Sequence, residues 1–303
     1  MITDTELRYF SVAKRLFLKC EKETGYKWKV DFNAFISWFY KNSEDWSSST
    51  YRQYRSSVLS YLSYYGSIDI IDSFTEMTKK KSTSTKKENR TSQKKSKSFS
   101  NEDFLIILKE LIKSRSKYKK TLSNWLVSGL VTGLRPIEWN ESELIENKNG
   151  YFLRVKNAKN SYGRSNGEYR TLNLSNISAS EIKAITATVN ELSNIEEKQF
   201  TDKYNACAQL LKLTTRKVFG KRKTYPSLYS TRHQFSANAK GSGFNLSEIA
   251  ALMGHATNET ATRHYGKKRD FEDYLKINPI EADVANVRDK VNEINKKEKS
   301  QKN

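Results

Sequence analysis

From Thr78 to Ser98 the chain reads TKKKSTSTKKENRTSQKKSKS, without one aliphatic or aromatic residue. A stretch like this has nothing to bury, so it cannot join a core and must divide the chain. Apolar residues return on both sides. The expected organisation is a domain over residues 1–77, a flexible basic linker over 78–98, a second domain over 99–280 and an amphipathic tail over 281–303. A chain of 303 residues is long enough for two ordinary domains.

The formal net charge is +20, with a pI near 9.7. Hydrophobic residues still make up 36% and aromatics 12%, enough to pack a core, so the charge sits on a folded protein. That points to a polyanion, and nucleic acid is the expected partner. The linker would lie along a phosphate backbone, with Lys79, Lys80, Lys81, Lys86 and Lys87 as contacts.

Cys20 and Cys207 are far apart in helical contexts and read as small core residues, not as a disulfide or a zinc site. All three histidines fall between 233 and 264, and no CxxC occurs, so no structural metal and no cofactor is expected. The start, MITDTELRYF, is not a signal peptide, and no apolar run approaches the roughly 20 residues of a membrane span. A reduced, cytoplasmic setting follows, with no membrane partner.

Residues 4–66 read as short helices. Leu7, Phe10, Ala13 and Phe17 share one face, Gly25 ends that helix, and Phe32, Phe35, Ile36 and Phe39 form a second stripe. Ser49 suits the N-cap of a third helix carrying Tyr51, Tyr54, Val58, Leu62 and Tyr65, with Arg52 and Arg55 on its polar face as phosphate contacts. Ser100-Asn101-Glu102-Asp103 has the pattern of a capping box and opens the second domain. A helix over 122–131 ends at Gly133, and Pro136 fits the first turn of the next, which places Arg135 at the bend. Strand signals are confined to 143–174. Tyr151–Val155 and Tyr169–Leu174 alternate around a basic hairpin, with Lys156, Lys159 and Arg164. Helices through Ile182–Leu192 and Phe200–Leu211 follow. Residues 229–266 read as three helices separated by turns. In the tail, Val284, Val287, Val291 and Ile294 recur at heptad-like spacing, implying a helix that docks on its own domain or on another protomer.

Arg135, Arg232, His255 and Tyr265 carry a chemistry together that none carries alone. Two guanidiniums grip a phosphodiester and neutralise charge that grows during in-line displacement. A tyrosine, weak at its free pKa of about 10, becomes a competent nucleophile beside them and forms a covalent phosphotyrosine. Neither a metal nor ATP is required, and no GxxxxGK[ST] loop is present.

The ordered motifs Thr132-Gly133-Leu134-Arg135-Pro136-Ile137-Glu138, Tyr229-Ser230-Thr231-Arg232-His233, Leu252-Met253-Gly254-His255 and Tyr265 resemble those of the tyrosine recombinase (phage integrase) family, over about residues 100–275. The resemblance implies a mainly α fold with a small antiparallel β-sheet in the catalytic domain, and a two-domain DNA clamp. It implies that Arg135 and Arg232 hold the scissile phosphate. Lys159, with Lys156 as runner-up, is implied to protonate the leaving 5′-oxygen. His255 tunes Tyr265, which attacks to give a 3′-phosphotyrosine. Tyr229 stands where the family most often has histidine. Tyr265 lies one place further from His255 than the family spacing, with His264 in the usual place; tyrosine is what the chemistry requires. The implied partners are double-stranded recombination sites, a homotetramer on DNA assembled from free monomers, and a directionality factor. The implied setting is the nucleoid of a prokaryote or a phage-infected cell. With no arm-site module ahead of the first helices, the expected role is a simple recombinase, such as the integrase of a mobile element. A type IB topoisomerase-like or hairpin-forming resolvase, and an inactive DNA-binding accessory protein, are the alternatives.

Overall fold

The first helix begins at a reciprocal cap. The Thr3 hydroxyl accepts from the Glu6 N–H, while the Glu6 carboxylate accepts the Thr3 N–H, which satisfies donors that a helix start leaves open. In this computed structural model, residues 2–66, 68–79, 96, 98–158, 160, 165–260 and 268–290 are described, and the chain divides into two compact units, Met1–Thr91 and Ser92–Asn303.

The first unit is four helices: α1 (Asp4–Thr24), α2 (Phe32–Asn42), α3 (Ser48–Tyr65) and α4 (Ile68–Met77). Gly25 closes α1 by donating its N–H to Glu21 O. The core is aromatic. Phe17 stacks on Trp28 with ring centroids 4.1 Å apart, and Phe39 meets Trp46 edge to face at 4.9 Å. Three expectations change. The cap of α3 is Ser47, whose extended backbone lets its hydroxyl accept from Thr50 N, whereas Ser49 already lies in the first turn. Leu7 is 53% exposed, because Phe10 is covered by Tyr61, Tyr64 and Tyr65 in the last turns of α3, and Leu7 lies a helical turn further out. For the same reason Tyr65, at the end of α3, is exposed and Tyr61 is buried instead. The fourth helix was not foreseen. It buries Phe74 against Phe32, Phe35 and Phe39.

The second unit contains α5 (Asn101–Lys113), α6 (Lys119–Thr132), a 3₁₀ segment (Pro136–Glu141), α7 (Ala179–Leu192), α8 (Glu197–Phe219), α9 (Ser230–Gly241) and α10 (Leu246–Leu252). Ser100 caps α5 by accepting from Asp103 N. The sheet is antiparallel in the order β1 (Ser142–Asn147), β2 (Gly150–Lys156), β3 (Tyr169–Asn173), β4 (Asn278–Pro279). The hairpin loop is Lys148-Asn149, one place before the Asn-Gly pair, because Gly150 already opens β2: Asn147 pairs with Gly150 and Ser142 with Val155. β4 had no signal in the sequence; its two residues pair with Leu172 and Asn173, and its proline sits on an edge strand. Leu153, Val155, Leu172 and Leu174 face the core with Trp125, Leu126 and Trp139. The fold is thus mainly α with one small antiparallel sheet. Cys20 and Cys207 are buried and unpaired with each other, and burial pushes the Cys207 thiol up to about 12. No helix among the described residues is long and apolar enough to cross a membrane.

The tail departs from the expected continuous helix. Among its described residues, only Glu281–Ala285 is helical. Arg288 N then donates to Ala256 O, so the backbone pairs with another segment (a parallel bridge joins Thr257 and Arg288) and leaves the helical ladder. Residues 291–303, with Val291 and Ile294, lie outside the described residues.

Candidate active site

The sequence TGLRPIE folds as a self-bound unit. α6 ends at Gly133, whose φ of 65° is left-handed, and its N–H returns to Gly129 O. A Cβ there would be driven into the ring of Phe235. Arg135 follows in extended conformation, and Pro136 starts the 3₁₀ segment. Glu138 then turns back. Its carboxylate accepts the Arg135 N–H at 2.8 Å and pairs with the Arg135 guanidinium at 2.5 Å. The spacing from Arg135 to Glu138 is therefore what a capping interaction requires.

The other motifs are brought to the same carboxylate. Arg232, in the first turn of α9, is fully buried. It donates to Gly133 O at 2.7 Å and to Met253 O at 2.6 Å, and lies 3.7 Å from Glu138 Oε2. One guanidinium thus ties the ends of α6 and α10. His255 is placed by a Schellman turn after α10. Gly254 N donates to Ala251 O and His255 N to Ala250 O. Gly254 has φ 63°, and a Cβ there would collide with Asn157 and Arg170. Arg232 Nη2 approaches His255 Nε2 at 3.1 Å. A guanidinium can only donate, so Nε2 accepts and the neutral ring carries its proton on Nδ1. Burial first, and then the charges of Arg232, Arg135 and Arg170, hold the His255 pKa well below its ordinary value against the opposing Glu138.

Arg170 completes the cluster. It lies in β3 at an inward register, next to Leu172 and Leu174, where alternation calls for an apolar side chain. It donates to Glu138 Oε2 at 2.8 Å, to Leu252 O at 3.0 Å, and to Asn157 Oδ1. Three guanidiniums meet one carboxylate. Burial by itself would raise the Glu138 pKa, but Arg170, Arg232 and Arg135 outweigh it and hold the carboxyl well below the usual range. Sequence reasoning gave Glu138 no role and passed over Arg170. The available signal was a charged residue at a core-facing position of a strand.

The base of the β2–β3 hairpin is fixed beside this cluster. Asn157 N donates to Glu168 O, and Asn157 Nδ2 donates to Asn166 O and Gly167 O. Ala158 N reaches Glu138 Oε1 at 3.4 Å. Lys159 itself lies outside the described residues, as do Arg164, His264, Tyr265, Lys80, Lys81, Lys86 and Lys87. Lys156 is instead paired with Glu141 at 2.6 Å on the surface, and that hydrogen bond raises its pKa. Tyr229 is the residue before α9, partly buried, with its ring edge to face on His233 at 5.4 Å.

Of the expected contacts in the first unit, Arg52 is exposed and donates to Ser48 O. Arg55 is half-buried and holds Thr78 Oγ1 at 2.9 Å, where Tyr51 also donates to Thr78 O. Lys79 pairs with Glu76 at 2.8 Å. Among the described residues, no group of three or more His, Cys, Asp or Glu is placed to hold a metal ion.

No protein-family model matches the sequence, and no curated protein matches it. Among solved structures, the chain is similar to the XerH site-specific recombinase bound to its difH substrate, with 17% identity over 79% of this chain and 67% of that one and a TM-score of 0.47. It is similar to the Tn1549 transposon integrase in complex with transposon right end DNA, with 15% identity over 89% and 92% and a TM-score of 0.48. It is also similar to a protelomerase complexed with a DNA hairpin product, with 14% identity over 89% and 91% and a TM-score of 0.48.

Proposed function

We propose that this chain is a tyrosine recombinase that cleaves and rejoins double-stranded DNA at specific sites through a covalent phosphotyrosine. The observation that carries the reading is the convergence of Arg135 and Arg232 on one buried carboxylate, with His255 set against Arg232. These residues come from three separate segments. With Arg170 they surround Glu138 with more positive charge than it neutralises. A dry cluster with excess guanidinium charge favours an anion, and a phosphodiester bridging Arg135 and Arg232 fits that chemistry.

In the proposed reaction the phenolic oxygen of Tyr265 attacks phosphorus, forming the Tyr–O–P bond. The bond from phosphorus to the 5′-oxygen breaks, and Lys159 supplies the proton that makes the 5′-hydroxyl. Arg135 and Arg232 hold the non-bridging oxygens. Neutral His255, with its proton on Nδ1, serves as hydrogen-bond donor and not as a strong base, so the phenolic proton passes to solvent water as the Tyr–O–P bond forms. Lys159 is preferred over Lys156 as the acid because its neighbour Ala158 reaches Glu138, while Lys156 is engaged by Glu141. The ester conserves the bond energy, so the strand is rejoined without ATP or metal. A helical DNA-binding domain, a basic linker that tracks the backbone, a tetrameric synapse and service to a mobile element complete the reading.

The test is covalent trapping. Full-length protein is mixed, in EDTA, with a nicked suicide duplex built from the DNA flanking its coding sequence. Wild type, Tyr265→Phe and His264→Ala are compared on a denaturing gel. A shifted band in wild type and His264→Ala, absent in Tyr265→Phe, is expected. Intact DNA binding with no band in any lane would establish an accessory DNA-binding protein instead.

A further inference from the structure

The tail segment that failed to continue as a helix is fastened at two places, and both flank the buried arginine cluster. At one end, Asp283 is buried, its Oδ2 accepts from Thr171 N at 2.7 Å, and its carbonyl accepts from Asn166 Nδ2 at 2.6 Å. Thr171 follows Arg170 in β3, and Asn166 belongs to the base of the hairpin. Asn166 is itself buried, and Asn166 O accepts from Asn157 Nδ2. Ser165 beside it donates to Asn160 Oδ1 and Gly167 O, at 2.8 Å each. Asn157 and Asn160, which bracket Lys159, are thus held through a chain of hydrogen bonds that ends on Asp283. At the other end, Arg288 N donates to Ala256 O at 3.0 Å, Asn258 Nδ2 donates to Asp289 Oδ1 at 2.8 Å, and Lys290 N donates to Asn258 Oδ1 at 3.1 Å. Ala256 to Asn258 directly follow His255 and lead toward Tyr265. A segment eight residues long therefore joins the base of the hairpin, next to the proposed acid, to residues 256–258, which precede the proposed nucleophile in the chain.

We infer that residues 283–290 act as a clasp with two separable functions. Asp283, with Asn166, positions the hairpin that carries the general acid. Asp289, with Asn258, positions the segment that carries the nucleophile. These are positioning residues, acting through Lys159 and Tyr265. The inference rests on the recombinase reading above and goes further, because it assigns each end of the clasp to a different half of one step. Among the described residues, the tail is held to the second unit by a backbone bridge and two carboxylates.

The halves of the step can be separated chemically. With an ordinary duplex, the bond from phosphorus to the 5′-oxygen needs a proton on the leaving oxygen. With sulfur in place of that oxygen, the thiolate leaves without one, so the acid becomes dispensable while attack by Tyr265 does not. Cleavage is measured on both duplexes with full-length protein in EDTA. Asp283→Ala is expected to slow the oxygen duplex about 10- to 100-fold, the scale of a misplaced catalytic group, and to cleave the sulfur duplex at the wild-type rate. Asp283→Asn, which keeps an acceptor for Thr171 N, is expected to restore the oxygen rate. Asn258→Ala is expected to slow both duplexes equally. Equal loss on both duplexes for Asp283→Ala, or sulfur rescue of Asn258→Ala, would overturn the clasp. If Asp283→Ala does not fold, Asn166→Ala removes the same tether and must show the same selectivity for sulfur; equal loss in that variant would also overturn it. Two controls address the underlying reading independently. Lys159→Ala must be rescued by sulfur, and Tyr265→Phe must cleave neither duplex. Cleavage by Tyr265→Phe rejects the recombinase assignment, whatever the tail variants do, and a Lys159→Ala variant that sulfur does not rescue removes Lys159 as the acid and overturns the hairpin half of the clasp.

Discussion

The two units of this chain solve the problem of an interior in opposite ways. Among the described residues of the first unit, the buried polar side chains are Ser43, Ser57 and Thr78, and no charged residue is buried. Its interior is a continuous set of rings, from Phe10 and Phe17 through Phe35, Phe39 and Phe74. The second unit buries Arg135, Glu138, Arg170, Arg232, His255 and Asp283. Packed aromatic rings tolerate exchange of shape as long as volume is kept. A buried cluster of charges does not, since each member compensates the desolvation of the others. The first unit is therefore built to be a stable carrier, and the second to hold charge where water cannot screen it.

The contrast is broken or sharpened by changes that keep volume, because truncation to alanine is costly in either core. The largest effect is expected from Glu138→Gln. It keeps the size but leaves three guanidiniums without their carboxylate, a loss of the order of 3–5 kcal/mol when one partner of a buried pair is removed. Urea unfolding of the full-length chain, followed with a probe in each unit, measures it. A loss below about 1 kcal/mol, the scale of an exposed ion pair, would mean that water reaches the cluster.

Phe35→Leu is the matching change in the first unit, where Phe35 is fully buried among Phe17, Phe32, Phe39 and Phe74. Loss of part of a buried ring without loss of apolar character is expected to cost about 1–2 kcal/mol and to leave the second unit's transition in place. A cost equal to that of Glu138→Gln would erase the distinction between the two interiors.

The same contrast explains what was legible in the sequence. The aromatic helices were readable because burial of rings follows the helical period. Phe10, Ala13 and Phe17 were found that way, and Leu7 was misplaced only because the end of α3 is a tertiary fact. The gathering of Arg135, Arg232 and His255 at one place was readable because their motifs also encode local turns, with Gly133 and Gly254 at left-handed positions. Arg170 was passed over because periodicity treats an inward arginine as noise, and only the approach of Glu138 and Leu252 O shows why it is there. β4 and the docking of Asp283 depend on segments more than a hundred positions apart, and no local pattern carries that information. The valine spacing in the tail suggested a helix, but Ala256 O captures Arg288 N and the ladder ends.

The last expected effect is the most selective, since it concerns protons. His255 is neutral in the folded chain, with its pKa held well below the ordinary value by burial and by the neighbouring guanidiniums. In the unfolded chain it titrates near 6.5. Between those values the unfolded state binds the extra proton. The group therefore contributes its full stability above about pH 6.5 and loses it as pH falls toward the folded value, with a slope of at most about 1.4 kcal/mol per pH unit. His255→Gln keeps an acceptor for Arg232 and removes the titration. The difference in unfolding free energy between wild type and His255→Gln should shrink steadily from pH 7 to pH 5. His233 and His264 are present in both proteins, so they cancel in that difference. Glu138, held well below the usual carboxyl range, does not titrate in this window. The first unit has no histidine at all, so its transition should carry no His255-linked pH dependence. A flat difference would mean that folding leaves the His255 pKa at its ordinary value, and one that grows on acidification would mean that His255 gains its charge more readily in the folded state. It would then donate from both ring nitrogens, the Arg232 contact would become a repulsion between two donors, and the cluster would have to be held together by an anion or carboxylate beyond Glu138.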